Sequence, residues 1–403
     1  MRMNRRCSAT LCAIATSAMS VSVFSPSAFS LEPSSPCATG VPSAAGPRLT
    51  QEQSHYRARL HSLATGAGIK VAVIDTGVSP HEQLATVHPG ADFIAPEEPE
   101  PWLDCDMHGT VVSGIIAGHD IGIAPHAELY SIRQTSTHYR HFAPAPPAEG
   151  GDSAGGALAA MSGNLDTLAA AIMDAVAAQA RVINISVVSC LPADHAERLD
   201  TTGLDSALLA AEEAGAVVVA ASGNASSGGC AHGDTVYPAH GHTVLAVGAT
   251  QDAHTLAEYS IRSGEVALSA DGHLPLVLNP AGGWATAKRD NGQDMEFHGT
   301  SFAAPVVAAT VALLAQRYPE ESPAQLRARI YQAARPSHGF IDPLAALTQV
   351  PAEYTVPARE KVLTHAAATP TPVPARMGLM VLTALGLLTM SLAWLGWRRA
   401  ARS

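Results

Sequence analysis

Positive charge is scarce in this chain. Lysine and arginine number 24 against 35 aspartates and glutamates, a formal net charge of -11, and only 15% of the residues are charged. Proteins that neutralise phosphates carry a basic footprint, so this balance argues against nucleic acid as a partner. The low charge does not signal disorder, because 47% of the residues are hydrophobic. Also missing is any Cys-x-x-Cys spacing that would support a zinc site. His232, His240 and His242 gather loosely but fit no ligand motif, so a metal-dependent hydrolase is the weakest reading, and neither metal nor cofactor is expected.

What is present begins at the ends. Arg2, Arg5 and Arg6 precede the mostly apolar stretch Leu11 to Phe24 and the small-residue pattern Ala28-Phe29-Ser30. Residues 1–30 therefore read as a secretory signal peptide, cleaved near Ser30. Met377 to Trp397 is an apolar run of 21 residues without a charge, long enough to cross a bilayer as a helix. Arg398, Arg399 and Arg402 follow in the tail 398–403, and positive residues stay cytoplasmic while Trp394 and Trp397 suit the interface. The expectation is a single-pass protein of the cell membrane with its body on the extracytoplasmic side. That body spans 66–349, between a polar N-terminal extension at 31–65 and a Pro/Ala/Thr-rich linker at 350–376.

Export bears on the cysteines. Cys7 and Cys12 leave with the signal peptide, and the mature chain keeps Cys37, Cys105, Cys190 and Cys230. An even count in an exported protein suggests two disulfides, for which three pairings are open.

Within the body, apolar strand-like runs alternate with helical patterns. Ile69 to Ile74, Ala127 to Ile132, Val182 to Val188 and Ala216 to Ala221 read as strands, and His108 to Ala117, Leu165 to Ala180 and Ser206 to Ala214 as helices. Such alternation implies an α/β fold, a mainly parallel sheet with helices on both faces. Gln134 to Asn164, rich in Pro, Gly and Ala, interrupts it as an exposed loop. Inside that loop Gly151-Asp-Ser153-Ala-Gly155 matches the Gly-x-Ser-x-Gly elbow in form only, since an elbow needs a strand before it and a helix after it.

Three other segments carry chemistry. Asp75 ends the run Val71-Ala-Val-Ile74, and a carboxylate at the carboxyl end of a parallel strand lies where open α/β sheets place their sites. An Asp before a Gly is by itself an ordinary turn residue. His108, in Asp106-Met-His108-Gly-Thr110, opens an apolar helical run ending at Gly118 and is thereby rigidly aimed, as a general base must be. Ser301 lies in His298-Gly-Thr-Ser301-Phe-Ala-Ala-Pro305, ahead of the helical run Val306 to Leu314. Pro305 fits near a helix start, which puts Ser301 at a helix N-terminus whose dipole favours developing negative charge. Asn224 follows the strand Val217 to Val219 and can offer its amide to an oxyanion beside the Ser301 backbone N–H.

The order Asp75, His108, Ser301 belongs to the subtilisin arrangement. The chain resembles the subtilases over roughly 66–349, and among them the mycosins of type VII secretion systems, on its signal peptide, tether, C-terminal helix and four mature cysteines. The resemblance implies a subtilisin-like three-layer fold and serine endopeptidase activity on polypeptide substrates at a type VII secretion membrane complex. The alternative it allows is a mainly structural subunit of such a complex. It also implies the pairings Cys37 with Cys105 and Cys190 with Cys230, and substrate-binding roles for Ser186, Val187, Val188, Ala221, Ser222 and Gly223. Many subtilases have Leu-Gly where this chain has Val187-Val188, which crowds the mouth of the first specificity pocket. The stretch from Ser30 to Asp75 is too short for the usual subtilase folding prodomain.

Overall fold

Successive residues of an apolar strand point to opposite faces of its sheet, so strands with no polar face need a core on each side. That requirement sets the architecture. The computed structural model describes residues 33–139, 163–226, 229–252, 255–262 and 268–350. In its first half lie β1 (Thr39–Ser43), α1 (Gln51–Leu63), β2 (Lys70–Asp75), β3 (Val87–Asp92), α2 (His108–Ala117), β4 (Glu128–Arg133), α3 (Leu165–Ala177), β5 (Val182–Ile185), β6 (Ser189–Leu191) and α4 (Ala193–Ala196). There follow α5 (Thr202–Glu213), β7 (Val217–Ala221), β8 (Thr235–Tyr237), β9 (Val244–Asp252), β10 (Thr255–Leu256), β11 (Leu268–Asp271), β12 (His273–Leu274) and β13 (Val277–Leu278). The chain goes on through β14 (Trp284–Asp290), β15 (Gln293–Met295), β16 (Phe297–His298), α6 (Thr300–Arg317), α7 (Pro323–Ala333) and α8 (Pro343–Thr348).

The central sheet has eight strands, ordered β10-β9-β7-β5-β2-β4-β3 with β11 also on β9. All its pairings are parallel except β10 on β9. Val71, Val73, Val217 and Val219 feed one core with α2 and α6, while Ala72, Ile74, Val218 and Ala220 feed the other with α3 and α5. Each such valine or isoleucine contributes about 1.5–3 kcal/mol by leaving water. The result is three layers, helices on both faces of the sheet. Because β2 has β4 on one side and β5 on the other, the chain builds one half of the sheet and then crosses to build the second. The carboxyl ends beside that reversal border the crevice where doubly wound sheets hold their ligands.

The N-terminal extension is part of this body. β1 pairs antiparallel with β14, Cys37 is bonded to Cys105, and Tyr56 of α1 bonds Asp342 at the start of α8 at 3.2 Å. The second disulfide joins Cys190 to Cys230. Among the described residues, α6 is the one helix long and apolar enough to cross a membrane, and it is buried in the core. The stretch read as a signal peptide, residues 351–403 with the apolar run 377–397, and the segment Gly151 to Gly155 lie outside the described residues. Through Gln349 the described residues form one unit.

Candidate active site

Two segments bring an aspartate and a histidine together in one half of the site. Asp75, the last residue of β2, is 0% exposed. Its Oδ1 accepts from the Thr76 amide at 2.8 Å and from His108 Nδ1 at 2.6 Å. An ionised carboxylate only accepts, so Nδ1 carries the proton and Nε2 is left as the basic nitrogen. His108 is the first residue of α2, and the turn before it is held tightly: Met107 is buried with φ 61°, a left-handed conformation costing about 1–3 kcal/mol outside glycine. Gly109 then comes so close to the Asp75-Thr-Gly77 turn that a Cβ would stand 2.0 Å from the Gly77 carbonyl oxygen. Only glycine allows that docking.

The electrostatics of this half run through Thr76. Its hydroxyl accepts from the Gly109 amide at 3.0 Å and reaches Asp104 Oδ1 at 2.7 Å, while Asp104 Oδ2 accepts from the Thr110 amide at 2.7 Å. Burial pushes the Asp104 carboxyl up to about 6, against the pull of those hydrogen bonds and with the charge of Asp106 assisting. For His108, burial works against the imidazolium. The charge and hydrogen bond of Asp75, helped by Asp104 and opposed by Lys288, nevertheless lift its pKa above the ordinary histidine value.

The other half is the tip of α6. Gly299 is its N-cap, Thr300 its first residue, and half-buried Ser301 sits in its first turn, where unpaired amides and the helix dipole favour an anion. Asn224 lies just past β7. Its Oδ1 accepts from the Thr300 amide at 2.9 Å and the Thr300 hydroxyl at 3.0 Å. A backbone N–H can only donate, so these bonds fix which end of the amide is oxygen and turn the Nδ2 hydrogens away from Thr300. Phe302, next to Ser301, lies against the His108 ring with centroids 5.3 Å apart. The imidazole therefore packs on a side chain that leaves the first turn of α6.

The residues assigned from sequence to substrate binding leave neighbouring strands. Ser186, Val187 and Val188 follow β5, and Ala221, Ser222 and Gly223 end or follow β7, which pairs with β5. Val188 packs against both cores, and the Gly223 amide donates to Thr300 Oγ1 at 3.2 Å. The loosely gathered histidines do not form a ligand set: His232 bonds the Glu258 carbonyl and His240 meets the Tyr237 ring edge-on. Sequence reasoning passed over Thr76, Asp104, Thr300 and Phe302. Thr76, Thr300 and Phe302 carried a local signal, each adjoining a residue already singled out, and Asp104 carried none.

An Asp and a His joined at the carboxyl edge of a parallel sheet, with a serine later in the chain at a helix tip, define the subtilisin-like class of α/β proteins. The chain belongs to the subtilase family, whose pattern it matches over residues 66–363. Among its relatives, mycosin-4 of Mycobacterium tuberculosis is 36% identical over 306 residues, 70% of this chain and 63% of that protein. The MycP3 protease from the type VII (ESX-3) secretion system superposes with a TM-score of 0.68 at 31% identity, covering 79% of this chain and 94% of the other. A chain of the intact ESX-5 inner membrane complex reaches a TM-score of 0.71 at 29% identity, over 92% of this chain and 95% of that one.

Proposed function

We propose that the chain is a serine endopeptidase with Asp75, His108 and Ser301 as its triad. The observation that carries the reading is the 2.6 Å bond from His108 Nδ1 to Asp75, which leaves Nε2 as the basic nitrogen of a ring that packs on Phe302, the neighbour of Ser301. In this mechanism Ser301 Oγ attacks a peptide carbonyl while His108 Nε2 takes its proton and returns it to the leaving amine. Asp75 holds the tautomer and stabilises the imidazolium. The Asn224 amide and the Ser301 N–H bind the oxyanion, and water then hydrolyses the acyl enzyme. A fluorophosphonate probe should label the wild type and leave Ser301→Ala unlabelled; equal labelling of the two would sink the assignment.

The setting we infer is that of a mycosin, acting on or with exported proteins of a type VII secretion system from the outer face of the membrane. The signal peptide, the apolar run 377–397 and the likeness to MycP3 support it. A second reading, a mainly structural subunit of the secretion complex, is favoured by the likeness to a chain of the ESX-5 complex over nearly the whole length. Export that survives Ser301→Ala but fails on deletion of the gene would favour the structural role; export lost in both favours proteolysis.

A further inference from the structure

Pro305 is the sixth residue of α6 and stands four positions after Ser301. In a helix the amide of that position would bond the Ser301 carbonyl, but proline has no N–H, and its ring crowds the very carbonyl it leaves unpaired. Ser186 fills the gap. Lying just past β5 and 3% exposed, it donates its hydroxyl to the Ser301 carbonyl at 2.8 Å. The Ser186 oxygen in turn accepts from Asn184 Nδ2 at 3.0 Å. An amide nitrogen only donates, so the one hydroxyl hydrogen is committed to Ser301.

We propose that Ser186 is a positioning residue for the nucleophile: its hydroxyl makes the bond that Pro305 cannot, and so fixes the peptide from which the Ser301 side chain projects. This rests on the reading of Ser301 as nucleophile. It concerns the Ser186 side chain, whereas a substrate strand would use its backbone.

The test is the rate at which the full-length protein reacts with a fluorophosphonate probe, resolved into a maximal rate and a half-saturating concentration. Ser186→Ala is expected to lower the maximal rate about 10-fold, the cost of a buried acceptor left unpaired, with the half-saturating concentration unmoved. Ser186→Thr, which keeps the hydroxyl, should recover most of the rate. In a Pro305→Ala background residue 305 has an amide to offer, and adding Ser186→Ala should then cost much less. Equal losses with and without Pro305→Ala would overturn the proposal, as would a higher half-saturating concentration at unchanged maximal rate. Should Ser186→Ala alone fail to fold, the double variant decides: folded and labelled supports the proposal, unfolded overturns it. Labelling that persists in Ser301→Ala would instead overturn the nucleophile assignment itself.

Discussion

The two halves of the site are held by different forces. On the acid–base side, His108 is bonded to Asp75, Thr76 ties Asp75 to Asp104 through its amide and its hydroxyl, and burial makes every charge there count. On the nucleophile side, Ser301 sits at the end of an almost wholly buried apolar helix and is aligned by neutral groups, Ser186, Asn224 and Thr300. Protonation can reset the first half but has little to act on in the second. Damage to the acid–base half should therefore appear in the pH dependence, and damage to the nucleophile half in rate alone.

The largest effect, and the one that would break this contrast most plainly, is expected from Asp75→Asn. The amide would donate to His108 where the carboxylate accepted, and the imidazole proton would move to Nε2. A fall in kcat of about 10⁴ at neutral pH should follow, partly recovered as pH rises. A loss independent of pH would mean that Asp75 acts by shape. Asn224→Ala comes next: removal of one oxyanion donor should lower kcat about 10²–10³-fold and leave the pH profile where it was. A moved profile would show that the halves are not electrically separate.

How much of this was legible in the sequence follows the same division. The strand carrying Asp75 and the helix opened by His108 are local patterns, an apolar run and a helical period, and both form within a residue of expectation. The nucleophile helix was harder to read. The sequence put its regular run at Val306 and Pro305 near its start, yet α6 begins at Thr300 and carries the proline inside. Proline is tolerated there because a residue more than a hundred positions away supplies the missing bond, and no local pattern reports that. The same contact accounts for β5 ending at Ile185, short of the forecast Val188, since Ser186 turns to α6. In the N-terminal extension, read from sequence only as polar, α1 buries only Leu60, so its period is faint, and the capping box of Thr50 and Gln53 was passed over. Asp104 gave no sign at all, because its meaning depends on Thr76 being folded against it.

Asp104 gives the smallest and sharpest test. Its folded pKa of about 6 lies above the ordinary 3.8, so folding favours its protonated form. Between those two values the native state holds more of this proton than the unfolded state does, and stability declines as pH rises from 3.8 to about 6, then levels off. Above that window Asp104 is ionised and its charge helps to raise the His108 pKa. Asp104→Asn keeps an oxygen for the Thr110 amide but removes the charge. The acid limb of the pH–rate profile should then move to lower pH with its plateau unchanged, and the decline in stability across the window should flatten, as thermal unfolding at a series of pH values would record. A lowered plateau with an unmoved acid limb would mean that Asp104 works by placing Thr76, through geometry, as the neutral groups around Ser301 do. The contrast between the two halves would then be one of composition and not of mechanism.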